Sequence, residues 1–285
     1  MRFFRCLRAD IIEGSPQVAR RLVVLVLLMV FCVVSVHAWF TVAEGALALD
    51  GLIDGLTLGD YCADVLKGMK PFSAAQFETF TVPVAWMLVM LLAFYTTVTF
   101  PSRNLAHFGG AQLAASGGRW TWWLAKCAWV VLSTCLYWLV ALVALALVAL
   151  VLGNDMTLNV SNGYALNVEY ALNVAALPPY NVLSFLASVP VMTCGLALVQ
   201  LALSINTRPM VGFCSMIAVL VVSAFYLTPL LPGNYLMTAR TACLFDYGMN
   251  PYAGMLLGIL LGVVAVAAGG VAFKSKDVLE RDGAL

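Results

Sequence analysis

The sequence predicts an all-α membrane protein: a bundle of six transmembrane helices with both ends in the cytoplasm and an N-terminal interfacial helix. Of the 285 residues, 63% are hydrophobic and only 10% are charged, whereas about a quarter of an average soluble domain is charged. A bilayer core needs about 20 consecutive apolar residues of helix. The chain contains six such runs without Asp, Glu, Lys or Arg, at residues 22–40, 82–100, 127–152, 182–205, 210–231 and 253–273.

The distribution of basic residues predicts the orientation of this bundle. Cytoplasmic flanks of transmembrane helices are enriched in Lys and Arg. With the N-terminus inside, 12 of the 15 basic residues lie in inside segments, and the exceptions are Lys67, Lys70 and Arg240. We therefore expect residues 1–285 to form a single transmembrane domain with both termini in the cytoplasm.

The first span is expected to be a retained helix, because the apolar run from Leu22 to Phe40 is too long for a typical signal-peptide core. Ahead of it, residues 1–21 are expected to form a cytoplasmic interfacial segment on the inner membrane surface. Its Arg residues alternate with apolar ones, which are Phe3, Phe4, Leu7, Ile11 and Ile12.

The remaining segments are loops of unequal length. The outer loop at 41–81 contains a stretch that fits either one amphipathic helix lying on the membrane or a solvated loop with one or two helical turns. Residues 101–126 are expected to be a cytoplasmic loop, and residues 274–285 a polar cytoplasmic tail. Cys62 and Cys243 are the two cysteines placed outside, where an oxidising compartment would permit a disulfide between them.

Catalytic groups are absent from the expected spans. Intramembrane enzymes and ion-coupled carriers place ionisable or nucleophilic groups at membrane depth, and the spans offer only His37, near an expected boundary, where a polar anchor is the simpler interpretation. The sequence has no Walker-type phosphate loop, no HExxH and no metal-ligand spacing of cysteines. We therefore expect neither an enzyme nor a protein that binds a cofactor, a metal or nucleic acid.

Three glycines in the last span, Gly254, Gly258 and Gly262, are spaced four residues apart. Such spacing lets another helix approach closely. The partner is either another helix of the same chain, which we favour, or a second copy.

Aromatic and basic residues lie together just before the third span. Trp122 and Trp123 stand between Arg119 and Lys126, and Arg103 lies earlier in the same loop. Physically, this composition is that of a membrane-interface anchor. The arrangement RxxWWxxK also resembles the loop between the second and third helices of six-helix ABC-transporter permeases of the export type.

Two later segments carry the same resemblance. An Asn-Tyr-x-Met-x-x-Arg element, here Asn234, Tyr235, Met237 and Arg240, resembles the extracellular segment before the last helix of bacterial members of that family. The ending FKSKDVLERDGAL is similar to their short cytoplasmic tail. The outer loops at 41–81 and 154–181 have no assigned counterpart.

The resemblance implies the membrane subunit of a bacterial ABC exporter, located in the cytoplasmic membrane. ATP would bind to a separate ATPase subunit, and a second permease subunit, identical or paralogous, would complete the path. The coupling loop would be formed by Arg103, Arg119, Trp122, Trp123 and Lys126. The alternative is a non-transporting membrane sensor or assembly scaffold that binds partners through its acidic outer loops.

Overall fold

The structure, a computed structural model, describes residues 2–47, 55–70, 83–107, 112–113, 116–161, 180–244 and 248–275. Most of these residues are helical, as predicted. The helices are α1 (Arg2–Leu47), α2 (Leu58–Val65), α3 (Val84–His107), α4 (Arg119–Val151), α5 (Leu183–Asn206), α6 (Pro209–Phe225) and α7 (Pro251–Ser275). An antiparallel pair of two-residue strands, β1 (Asn159–Val160) and β2 (Tyr180–Asn181), and two 3-10 helices, Pro232–Leu236 and Thr238–Arg240, lie between them.

Among the residues that the structure describes, five helices are long and apolar enough to cross a membrane, namely α1, α3, α4, α5 and α7. They correspond to five of the six predicted spans. The chain is therefore an α-helical protein with the character of a membrane protein.

Helix α6 is shorter than the span predicted at 210–231. It has 17 residues, or roughly 25 Å at 1.5 Å per residue, against a hydrocarbon thickness of about 30 Å. Pro229 explains the early end, since a proline ring clashes with the carbonyl group four residues before it, here that of Phe225.

The N-terminal segment also differs from expectation. Residues 2–21 are not a separate interfacial helix but the first part of α1, which continues through Pro16 without a break to Leu47. The buried face of α1 repeats every three or four residues from Cys6 to Phe40. One continuous stripe therefore packs against the bundle, while Phe4 and Ile12 remain exposed.

The predicted cytoplasmic loop at 101–126 is shortened from both sides. Helix α3 extends to His107 and α4 begins at Arg119. At this end of the bundle, which we call the N-terminal end, α1, α4 and α6 begin and α3, α5 and α7 finish. Residues 276–285 of the predicted tail lie outside the described part of the chain.

Within the predicted outer loop at 41–81, residues 41–47 continue α1, and the described remainder is neither a long amphipathic helix nor a solvated loop. Helix α2 has eight residues, most of them buried. The Thr57 hydroxyl accepts a hydrogen bond from the Asp60 backbone N–H, and the Asp60 carboxylate accepts one from the Thr57 backbone N–H, which together form a capping box. Burial raises the pKa of the Asp60 carboxyl, while hydrogen bonds from Thr57 and Ser161 oppose that rise.

Helices α5 and α7 pack closely against each other through their backbones. A Cβ atom on Gly258 would lie 2.8 Å from the Cα atom of Met192, and one on Gly195 would collide with the Gly258 carbonyl group. Gly254 faces the ring of Tyr235, and Gly262 faces Leu198. The three spaced glycines thus serve a contact within the chain.

Candidate functional site

Two clusters of buried polar groups lie at opposite ends of the bundle. The Lys126 cluster, at the N-terminal end, consists of Asp10, Asn104, Gln112 and Lys126. The Arg240 cluster, at the opposite end, consists of Arg240, Asn234 and the backbone carbonyl groups that they contact. Burying a charge is costly unless it is paired and hydrogen-bonded, so these clusters are the first candidates for a functional role.

The Lys126 ammonium group connects four parts of the chain. It lies 2.5 Å from Asp10 Oδ1 on α1, 2.6 Å from Asn104 Oδ1 on α3 and 3.2 Å from Gln112 Oε1 in the α3–α4 connection. The Lys126 and Asp10 side chains are fully buried. The ammonium group also lies 4.9 Å from the Trp122 ring centroid and 5.1 Å from that of Phe100. Its three N–H donors therefore all have oxygen acceptors within a largely aromatic shell.

The Asp10 carboxylate is less completely satisfied than its partner. Oδ1 accepts hydrogen bonds from Lys126 and from Gln112, the latter at 2.9 Å. Oδ2 is buried and has no hydrogen-bond partner among the described residues. A buried carboxylate oxygen without a hydrogen bond costs free energy. The hydrogen bonds of Oδ1 and the packing around the pair must offset this cost.

Helix α1 carries a polar stripe that leads from this cluster along the helix. Asp10, Glu13, Gln17 and Arg21 recur every three or four residues, and each bonds to a neighbouring helix. Asn104 donates to Glu13 at 2.8 Å and Gln17 donates to Thr99 at 2.7 Å. The stripe was not predicted from the sequence, although its helical spacing was a readable signal.

Arg21 ends this stripe. It is 8% exposed, and its guanidinium group donates to the carbonyl groups of Tyr95 and Thr96 and to the Thr99 hydroxyl. The guanidinium carbon also lies 4.1 Å from the Tyr95 ring centroid. A charge in the expected first flank is thus fully engaged with α3 instead of facing solvent.

In the Arg240 cluster, one guanidinium group caps the end of α6. Arg240 donates to the carbonyl groups of Ser223 and Ala224, and at 3.3 Å to that of Tyr226. The last carbonyl groups of a helix lack intrahelical partners, and a cation there also complements the helix dipole. The Arg240 side chain therefore satisfies carbonyl groups at the end of α6 that the helix itself leaves unpaired.

The same group fastens two other segments. Arg240 Nε donates to the Met69 carbonyl group at 2.7 Å, and Nη1 donates to Asn234 Oδ1. Asn234 Nδ2 in turn donates to the carbonyl groups of Tyr226 and Thr228. The predicted element of Asn234, Tyr235, Met237 and Arg240 is thus entirely buried, and two of its members are in direct contact.

The residues predicted to form a coupling loop do not share one surface. Arg103 is exposed and Arg119 is partly buried, whereas Trp122, Trp123 and Lys126 are fully buried. The two indole N–H groups donate to Gln112 Oε1 and to the Val266 carbonyl group. Trp122 also stacks on Phe273 at 4.9 Å between ring centroids. These tryptophans therefore pack inside the protein, so they do not anchor it in the interface.

Other residues singled out in the sequence have structural partners. His37 Nδ1 lies 3.1 Å from the Tyr61 hydroxyl, which also accepts a hydrogen bond from Asn154. Burial raises the pKa of Tyr61 to about 12. Cys62 and Cys243 are both free thiols, and Cys243 Sγ lies 3.1 Å from Ser184 Oγ.

Within the described ranges, no three His, Cys, Asp or Glu side chains lie close enough together to hold a metal ion. The described part of the chain is an α-helical protein with the character of a membrane protein and with buried polar clusters at both ends of the bundle. Comparison of the chain with models of protein families, with curated proteins and with solved structures found no match.

Proposed function

We propose that this chain is the membrane-spanning subunit of an ATP-driven ABC exporter. It would work as a dimer with an identical or paralogous subunit and couple to a separate ATPase at its N-terminal end, which would face the cytoplasm. The proposal rests on the resemblance of the segments around Trp122 and Asn234, on the basic flanks at the N-terminal end and on one observation from the structure.

That observation is the set of bonds around Lys126. In a transporter driven by a separate ATPase, a force applied at a cytoplasmic connection must reach the helices. Here one ammonium group joins the α3–α4 connection, through Gln112, to Asp10 on α1 and to Asn104 on α3. A displacement of the connection would therefore act on three helices at once, because buried charged hydrogen bonds are costly to break.

The Arg240 cluster supports the same proposal from the opposite end. Transporters place interrupted helices and irregular backbone where these are buried in protein or line a cavity. The segment from Tyr226 to Met249 consists of two short 3-10 helices, turns and extended residues where the structure describes it, and Arg240 ties it to the bundle. Such a segment is suited to closing the translocation path on its outer side.

Burial changes which residues are suited to contact the ATPase. A partner cannot reach Trp122, Trp123 or Lys126 without disrupting the bundle. Arg103 on α3 and the partly buried Arg119 remain candidates for direct contact, and the buried residues would then position the connection.

Affinity purification of the tagged chain in mild detergent, followed by mass spectrometry of stoichiometric companions, tests the proposal. We expect an ABC ATPase to co-purify and to be lost on Arg103→Glu, which changes an exposed side chain. Lys70→Glu, at the opposite end, is the control and should retain the companion. Recovery of other membrane or secreted proteins without any ATPase would instead support the scaffold or sensor interpretation.

A further inference from the structure

An apolar groove of about 690 Å³ runs between α4, α5 and α7. Trp120 lies at one end of it, Cys135 and Pro190 lie towards the other, and Gly258 and Ala267 line the α7 side. Its floor is the place where the α5 and α7 backbones meet at Gly195 and Gly258. Because neither glycine has a side chain, the two helix backbones lie close together at the floor of the groove.

The chemistry of the lining excludes most kinds of ligand. The exposed atoms of the groove are almost entirely apolar, whereas sites for small polar molecules include a few converging polar groups. A charged or strongly polar group placed there would lose its hydration without compensation. The groove therefore suits a hydrocarbon chain.

The groove is longer than the hydrocarbon region of one leaflet of a bilayer, which is about half of 30 Å. From Trp120 to Cys135, α4 rises by roughly 22 Å at 1.5 Å per residue, compared with a full hydrocarbon thickness of about 30 Å. A groove of this length that starts at the N-terminal end of the bundle would reach past the middle of a bilayer. A lipid tail entering from that end would lie along it.

Two basic residues, Arg119 and Lys274, lie at the end of the groove near Trp120. Arg119 directly precedes Trp120, and its guanidinium group donates at 2.6 Å to the backbone carbonyl group of Lys274. Lys274 is exposed. The first turn of α4 contains no acidic residue, so no carboxylate in that turn offsets the charge of Arg119. Trp120, 39% exposed, is suited to the interface between headgroups and tails.

We propose that this groove binds an anionic phospholipid of the surrounding bilayer. One acyl chain lies in the groove from Trp120 towards Cys135, and the phosphate headgroup lies beside Arg119 and Lys274. The proposal concerns lipid binding alone and does not rest on ATP-driven transport.

Native mass spectrometry of the purified full-length chain tests this site. The protein is incubated with equal amounts of phosphatidylglycerol and phosphatidylcholine that carry identical acyl chains. Ala267→Phe fills the groove from an exposed position, and Ala268→Phe adds the same ring at the adjacent exposed position outside the groove. Lys274→Gln removes the exposed cation and leaves the groove intact.

We expect the wild-type chain and Ala268→Phe to retain phosphatidylglycerol in preference to phosphatidylcholine, and Ala267→Phe to lose the retained lipid. Lys274→Gln should reduce the preference for phosphatidylglycerol about fivefold, since a basic residue near a membrane surface contributes about 1 kcal/mol. Equal retention by the two phenylalanine variants would overturn the acyl-chain site. Equal binding of both lipids by the wild type would overturn the headgroup site. A changed oligomeric state in Ala267→Phe with unchanged lipid retention would show a contact between copies and overturn the proposal.

Discussion

At the scale of single residues, Lys126 and Arg240 meet the same requirement, burial of a positive charge, in different ways. Lys126 is paired with a carboxylate and two amide oxygens, and its compact ammonium group acts as a point charge. Arg240 spreads its charge over a planar group that contacts carbonyl groups of several segments. Lysine would not replace arginine at that site, because only the guanidinium fork reaches all of these acceptors.

Replacing Arg240 tests how much the cap on α6 contributes. We expect Arg240→Met to lower the free energy of unfolding by at least about 2 kcal/mol, because hydrogen bonds to charged groups are each worth about 1.5–3 kcal/mol. Thermal unfolding in detergent, followed by circular dichroism, measures the loss. Arg208→Met is a suitable control, since Arg208 is exposed and should change the stability little. Equal stability of the two variants would contradict the capping role.

Gly153 offers a second test at the scale of one residue. It ends α4 with a φ of 75°, and the N–H groups of Gly153 and Asn154 bond back to Leu150 and Ala149, the pattern of a Schellman motif. We expect Gly153→Ala to cost about 1 kcal/mol, because a side chain disfavours left-handed backbone. Gly118→Ala is the control, since Gly118 has extended backbone and open space around it.

At the scale of secondary-structure elements, the bond between α1 and α4 holds the N-terminal end of the bundle. Breaking one partner of a buried ion pair costs about 3–5 kcal/mol, because the other charge is left uncompensated. We therefore expect Asp10→Asn and Lys126→Met each to destabilise the protein strongly. The double variant should be more stable than the sum of the two losses predicts, by more than about 1 kcal/mol.

A double-mutant cycle on the free energy of unfolding measures this coupling. Arg20→Gln combined with Lys274→Gln is the control cycle, because both residues are exposed and lie on different helices, α1 and α7. Their effects should add within about 0.5 kcal/mol. Additive losses for Asp10 and Lys126 would show that the two helices are held together by other contacts.

At the scale of the whole molecule, the orientation of the bundle in the membrane is predicted from the Lys and Arg residues that flank the spans. The fold itself does not indicate it. We expect a fluorescent protein fused after Leu285 to fold and fluoresce in the cytoplasm, and alkaline phosphatase inserted within residues 162–179 to be active outside. The same enzyme inserted after Asn206, in the α5–α6 turn, should be inactive. Activity of this last insertion would invert the orientation predicted from the basic flanks.

Some features were determined by the sequence alone. Long apolar runs without charge fix the helical membrane class and the positions of five spans, because a bilayer leaves unpaired backbone few alternatives to helix. The four-residue spacing of Gly254, Gly258 and Gly262 indicated close helix packing in the same way. The early end of α6 could also have been predicted from Pro229, although the predicted span ran past it.

Other features were decided only by the tertiary structure. The sequence gives Asp10, Asn104, Gln112 and Lys126 no visible relation, because their proximity depends on the parallel packing of α1 and α4 and on the path of α3. Arg240 was expected in an extracellular element, but its role as the cap of α6 arises from a chain that folds back on itself. The composition of a chain shows how much charge it carries. The burial and pairing of each charge depend on contacts between residues far apart in sequence. Here those contacts place Lys126 and Arg240 inside the protein.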